Sequence, residues 1–267
     1  MHKFSKLLFL GIFCITAAWA QTPALIGIAH VAFRVGDLQQ SREFYSKLGF
    51  EQAFEFADPG KAEVAFIKIN DHQFIELYAR NSDSQPVGLM HICFEASDIE
   101  VVRNEYLKRG LKSEEAKKAR AGNLLFIMHD PEGQLLEYTQ YMPGSLHFED
   151  RGRHLSNNRI AERLVRADIN ARDTVAELAF YRDKLGLLPN KKEKNLLGIP
   201  GSPDLVGLQA QSANTTSSIA FAVSDAGQVA KDLRKRGYHV RKDHRGVSIT
   251  DPDGVVIFFT PQYNKRT

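Results

Sequence analysis

The chain has 267 residues, of which 43% are apolar, 25% charged and 10% aromatic, an ordinary globular composition that excludes a disordered or fibrous protein. At a prior of about 150 residues per domain there is material for two domains with real cores. The formal charge of +3 excludes the strongly basic surface that nucleic acid requires.

In chain order, Lys3 and Lys6 precede an apolar run from Leu7 to Thr16 and the small-residue end Ala18-Trp19-Ala20. Residues 1–20 read as a secretory signal peptide. The run is about half the ~20 apolar residues that span a bilayer, so a mature chain from Gln21 is expected to be exported, periplasmic or secreted, with no membrane anchor. Two lysines and no acid leave with it, so the mature chain holds 33 basic against 32 acidic residues, a net charge of +1. Cys14 also leaves, and Cys93 alone makes no internal disulfide.

Ile26–Val35 is β-rich, Asp37 is a good N-cap, and Leu38–Leu48 carries helical spacing closed by Gly49. Short strands follow at Glu51–Ala57, Ala62–Ile69 and Phe74–Tyr78, with Pro59-Gly60 and Asn70-Asp71 as turns between them. The order then repeats: a strand from Leu89 to Ala96, a helix from Asp98 to Arg109, and strands at Leu124–His129 and Gln134–Gln140. The basic run from Lys112 to Arg120 reads as a solvated loop.

The C-terminal half repeats the N-terminal half. Asp37 precedes Phe44-Tyr45 by the same seven residues that separate Asp173 from Phe180-Tyr181, and Leu48-Gly49 returns as Leu185-Gly186. Lys108-Arg109-Gly110 returns as Lys235-Arg236-Gly237, and Asp130-Pro131-Glu132-Gly133 as Asp251-Pro252-Asp253-Gly254. The expected fold is α+β: two tandem domains over residues 23–143 and 160–264, joined by a linker over 144–159. Each domain holds two βαβββ units that form a curved mixed sheet with helices outside.

Strand alternation places His30, Ala32 and Arg34 on one face, as it does Phe74, Glu76 and Tyr78, then His91, Cys93 and Glu95, then Leu135, Glu137 and Thr139. Buried carboxylates need partners. Two imidazoles and two carboxylates suit one divalent ion, whether zinc, nickel, iron, manganese or cobalt. Cys93 reads as a small core hydrophobe, and His72, in a turn, as solvent-exposed. The Asp-Pro-Glu-Gly and Asp-Pro-Asp-Gly elements read as turns rather than calcium loops.

The run from Ile28 through His30, Phe33-Arg34, Asp37-Leu38, Phe44-Tyr45 and Leu48-Gly49-Phe50 resembles the opening of the vicinal oxygen chelate superfamily, also called glyoxalase/bleomycin-resistance/dioxygenase. The resemblance continues through Phe74-Ile75-Glu76-Leu77, His91-Ile92 and Asp130-Pro131-Glu132-Gly133 to Glu137, and is fainter in the second half. His30, Glu76, His91 and Glu137 resemble the four-ligand set of glyoxalase I, whereas extradiol dioxygenases use two histidines and one glutamate. The resemblance implies a metal-dependent lyase or isomerase that acts on a small oxygenated substrate through a metal-stabilised enediolate. Glu137 would be the catalytic base and Glu76 second to it.

Arg34 matches an arginine that glyoxalase I uses on the glutathione carboxylate, but Arg80 stands where that family has asparagine. Arg34, Arg80, Tyr78 and Glu95 are the candidate substrate-binding residues. An extradiol-type iron dioxygenase and a non-catalytic small-molecule-binding protein are the alternatives. The second half has Arg166 at the place of His30, Ser218 at that of His91 and Phe258 at that of Glu137, and its fourth position falls near Gly207 to Gln209. That half is expected to hold no such metal and to pack against the first, in a monomer or homodimer.

Overall fold

The computed structural model describes residues 24–212 and 216–261; the signal peptide read in residues 1–20 lies outside them. The first unit runs β1 (Leu25–Val35), α1 (Leu38–Lys47), β2 (Glu51–Phe56), β3 (Val64–Lys68) and β4 (Phe74–Ala79). The second runs β5 (Gly88–Ala96), α2 (Ile99–Lys108), β6 (Lys117–Lys118), β7 (Leu124–His129) and β8 (Leu135–Gln140). A short helix, α3 (Leu146–Glu149), lies in the connecting segment. The third unit is β9 (Arg163–Ala171), α4 (Thr174–Ala179) continued by a π turn at Phe180–Lys184, β10 (Leu188–Pro189), β11 (Leu196–Gly198) and β12 (Leu205–Ala210). The fourth is β13 (Ser218–Val223), α5 (Ala226–Lys235), β14 (Arg241–Asp243), β15 (Gly246–Thr250) and β16 (Val256–Pro261).

The chain is thus α+β, with βαβββ written four times in two eight-stranded mixed sheets of identical order. The first is β2-β3-β4-β1-β5-β8-β7-β6 and the second β10-β11-β12-β9-β13-β16-β15-β14. Each helix that follows the first strand of a unit starts at an aspartate. Asp37, Asp98, Asp173 and Asp225 accept backbone N–H bonds from the first turn, donors that would otherwise have no partner. The basic run departs from the loop expected: Lys117–Lys118 is an edge strand paired with Leu124–Leu125. Two exposed lysines carry no apolar alternation, so nothing in the pattern signalled it; charge on an edge strand discourages further pairing. Among the described residues no helix is long and apolar enough to cross a membrane.

The two halves share one hydrophobic cluster, in which Phe50 stacks on Phe221 with centroids 5.2 Å apart. The repeated motifs meet across it in crossed pairs. Tyr45 donates to Asp251 (3.4 Å) and Tyr181 to Asp130 (3.0 Å). Asp253 accepts the backbone N–H of Gly36, and Glu132 those of Arg172 and Asp173. Arg236 reaches the carbonyl of Lys47 at the end of α1, and Arg109 that of Lys184 at the end of the π turn. Gly49 has φ +85°, and a Cβ there would stand 2.3 Å from the carbonyl oxygen of Asn158. Only glycine meets both the left-handed backbone and the close approach of the connecting segment.

Candidate metal centre

Four strands at the middle of the first sheet bring the four predicted donors together. β1 pairs with β4 so that Ala32 faces Glu76, and with β5 so that His30 faces Cys93 and Ala32 faces His91. β5 pairs with β8 so that Cys93 faces Glu137. Alternation then points His30, Glu76, His91 and Glu137 to the same side. His30 Nε2 lies 3.0 Å from His91 Nε2, 3.4 Å from Glu76 Oε1 and 3.6 Å from Glu137 Oε1, and His91 Nε2 lies 3.9 Å from Glu137 Oε2. For an ion about 2.0–2.2 Å from each donor, neighbouring ligand atoms fall roughly 2.9–3.6 Å apart, so the spacing suits one cation.

Burial dictates the electrostatics. His30 and His91 are buried and held neutral, His91 pushed down to about 4 by desolvation. Burial, and then the neighbouring Glu137 charge, raises Glu76 to about 8; burial raises Glu137 to about 7. Neutral imidazoles and crowded carboxylates are what a divalent cation would relieve. His30 Nδ1 is buried and has no hydrogen-bond partner, whereas metal-bound histidines usually donate from the second nitrogen. Cys93 is buried with Sγ 3.5 Å from Glu137 Oε1, and the fit extends to a second donor group, His30, Cys93 and Glu137.

The predicted substrate contacts divide. Tyr78 donates to Glu76 Oε2 at 2.9 Å and its ring lies edge-on to His91, so it borders the donor cluster. Arg34 donates to the carbonyl of Pro86, and Arg80 pairs with Asp83, a strongly exposed residue of the following loop. Glu95 is buried and bound by His72 Nδ1 at 2.9 Å. His72, read as a solvated turn residue, is the partner of that carboxylate.

One residue of this cup lay outside the sequence reading. The ring of His147 on α3 enters the concave side, with centroids 5.0 Å from Phe54, 5.5 Å from Phe66, 4.8 Å from Phe74 and 4.8 Å from Tyr141, on which it stacks. Ser145 caps α3. At its other end Lys68, fully buried, binds Asp150 (2.8 Å) and Asp71 (2.9 Å). His147 Nδ1 meets Asn123, its Nε2 is buried without a partner, and burial lowers it to about 3. A four-residue helix in a polar connector is too short for periodicity to reveal. Among the described residues the concave cluster of the first sheet contains none from the second half, so the second half meets the first away from the cup.

The second sheet has the predicted replacements. Arg166 pairs with Leu205 and Ala220 as His30 does with Phe74 and Cys93, and the same register puts Gly207 at the place of Glu76, Ser218 at that of His91 and Phe258 at that of Glu137.

Residues 27–138 match the family model of the Glyoxalase/Bleomycin resistance protein/Dioxygenase superfamily. No curated protein matches the sequence. Among solved structures, the Mn(II)-bound glyoxalase from Novosphingobium aromaticivorans has a TM-score of 0.69 at 16% identity, covering 90% of this chain and 83% of that one. A variant of homoprotocatechuate 2,3-dioxygenase from B. fuscum in complex with HPCA has a TM-score of 0.66 at 18% identity, covering 91% and 72%. The 2,3-dioxygenase LapB from Pseudomonas sp. has 0.66 at 13% identity, covering 90% and 93%. At these identities the likeness is one of fold.

Proposed function

Because residues 27–138 match the family model of the Glyoxalase/Bleomycin resistance protein/Dioxygenase superfamily, we propose that the chain is a metal-dependent lyase or isomerase of the glyoxalase type. Its substrate is a small molecule with oxygens on adjacent carbons. The observation that carries the reading is the fourth donor: Glu76 Oε1 stands 3.4 Å from His30 Nε2, on the strand that a two-histidine, one-glutamate site leaves free. Several structural neighbours are named dioxygenases, and a site that keeps two positions open for catechol and oxygen is the competing chemistry. A fourth protein ligand takes one of those positions.

His30, Glu76, His91 and Glu137 would hold the ion, which when bound supplies a Lewis acid that stabilises negative charge on the substrate oxygens. Glu137 moves the proton between adjacent carbons. It is more exposed than Glu76, with a side chain 15% against 7% accessible, so of the two carboxylates it is the one better placed to meet a substrate proton. Tyr78 holds Glu76 in place through its hydroxyl. Arg34, beside the cup on β1, and Arg80 on the loop after β4 are assigned to a substrate carboxylate. The chain would act after export, as one polypeptide or a homodimer.

The test is elemental mass spectrometry of the purified mature protein, followed by Glu137→Gln. About one nickel, zinc, cobalt or manganese per chain and turnover of a 2-oxoaldehyde or its thiol adduct, lost in Glu137→Gln with metal retained, is the expected result. Iron with oxygen uptake would replace the lyase with a dioxygenase. No metal after reconstitution, or full activity in Glu137→Gln, would overturn the assignment.

A further inference from the structure

The cup of the second sheet has lost every metal donor of the first, yet it has not filled with apolar side chains. At the place of Glu76 stands Gly207, and a Cβ there would lie 1.8 Å from Asp168 Oδ1, so the missing side chain makes room for Asp168 on β9. Asp168, 2% exposed, accepts from Ser218 Oγ at 2.5 Å, which in turn accepts from Gln209 at 2.6 Å. Arg166, 6% exposed at the place of His30, lies with Nε 3.1 Å from Asp168 Oδ1. The angle is poor, so neither Nε nor Nη2 of this buried guanidinium has a hydrogen-bond partner. Leaving such donors unpaired is costly.

Arg166, Asp168, Gly207 and Gln209 line a cavity of about 340 Å³, together with Arg245 and Asn195. The Arg245 guanidinium lies over Phe258, 3.8 Å from the ring centroid; its Nε is 3.6 Å from Asp243 Oδ2, too far for a hydrogen bond, and has no other hydrogen-bond partner. Arg245 comes from the turn before β15 and Arg166 from the middle of the sheet, and both stand against the same ring, Arg166 at 5.6 Å. A cavity of this size accommodates a small organic molecule, and two guanidinium groups with unpaired N–H donors recognise a planar carboxylate.

We propose that the second cup is a binding site for a small monocarboxylic acid, held by Arg166 and Arg245. The charge already present selects the class. Asp168 balances Arg166, Asp243 Oδ2 lies 3.6 Å from Arg245 Nε, and the Glu193 carboxylate also lines the cavity, so no positive charge is left over: the open N–H donors can hold one carboxylate, and a phosphate dianion is opposed. The site is distinct from the proposed metal centre and holds whether or not the first cup turns over a substrate.

Isothermal titration of the full mature chain, carrying its metal, with benzoate and with inorganic phosphate tests this. Benzoate should bind saturably, phosphate about tenfold more weakly or not at all, and loss of a charge-assisted fork in Arg245→Gln or Arg166→Lys should weaken benzoate by about tenfold or more. Arg166→Lys keeps the counter-charge of Asp168, and Arg245 is only part-buried, so at least one variant folds. His91→Ala, in the first cup, should leave the benzoate affinity unchanged. Absence of saturable benzoate binding below about 10 mM, binding that survives both arginine variants, phosphate binding as tightly as benzoate, or loss of binding in His91→Ala would each overturn the proposal.

Discussion

Replacing His147 tests whether the connecting segment is part of the first cup. His147 is 2% exposed and its ring touches four aromatic rings, those of Phe54, Phe66, Phe74 and Tyr141. Truncating a buried aromatic to alanine costs ~3–5 kcal/mol through lost transfer energy and the cavity left behind. His147 is polar and its Nε2 has no partner, so part of that loss is returned; His147→Ala should cost about 3 kcal/mol. His147→Phe keeps the ring packing and deprives only Asn123 of its partner, and should cost about 1 kcal/mol. In a chain of this size 1 kcal/mol moves Tm by ~2–4 °C, so urea denaturation and thermal melting both resolve the two variants. Bound metal, measured in parallel, should be unchanged in each. If both substitutions cost the same, or if His147→Ala costs less than about 1 kcal/mol, the ring does not form the floor of the cup.

Two glycines with nearly the same backbone separate strain from contact. Gly110 (φ +78°) has nothing within 4 Å of the place a methyl group would take, whereas Gly49 (φ +85°) meets Asn158; Gly110→Ala should cost about 1 kcal/mol and Gly49→Ala at least about 2 kcal/mol more. Chemical denaturation measures both, and equal losses would remove the connector contact from the account. The His72–Glu95 pair predicts a pH dependence. Its hydrogen bond, and then the Glu95 charge, raises His72 above 6.5, so its contribution is fully present below that pH and is lost as pH rises through the higher folded value. With His72 half-exposed, screening holds the effect to about 0.5 kcal/mol. Proton NMR titration should place the His72 midpoint above that in Glu95→Gln; identical midpoints would refute the pairing.

Much of the fold and of the donor cluster was legible because both rest on short-range patterns. Asp37, Asp98, Asp173 and Asp225 announce helix starts by local hydrogen bonding, and period-two alternation sets His30, Glu76, His91 and Glu137 on one face. Equivalent strands then bring them to one point. The edge strand at Lys117–Lys118 and the helix at Leu146–Glu149 were not legible, since two and four residues are too few for a period. His147 and the Glu95 partner His72 act through contacts distant in sequence, and no local pattern encodes them. Arg34 and Arg80 were placed by resemblance, and the side-chain partners they have, Pro86 and Asp83, could not be read from strand spacing.

The repeat explains why one half could lose its chemistry while the chain kept its architecture. What the halves share is Phe-Tyr, Leu-Gly, Lys-Arg-Gly and Asp-Pro-x-Gly, and the crossed bonds Tyr45 to Asp251, Tyr181 to Asp130, Arg236 to Lys47 and Arg109 to Lys184 set those motifs at the contact between the halves. What they do not share are the four concave positions, occupied by His30, Glu76, His91 and Glu137 in one sheet and by Arg166, Gly207, Ser218 and Phe258 in the other. In the buried pairs, Tyr45 with Asp251 and Tyr181 with Asp130, a change of either member leaves a buried partner unsatisfied, at a cost of ~1–3 kcal/mol. A concave residue is constrained only by its own cup. The second sheet could therefore exchange two imidazoles and two carboxylates for a guanidinium network while every contact to the first half stayed in place.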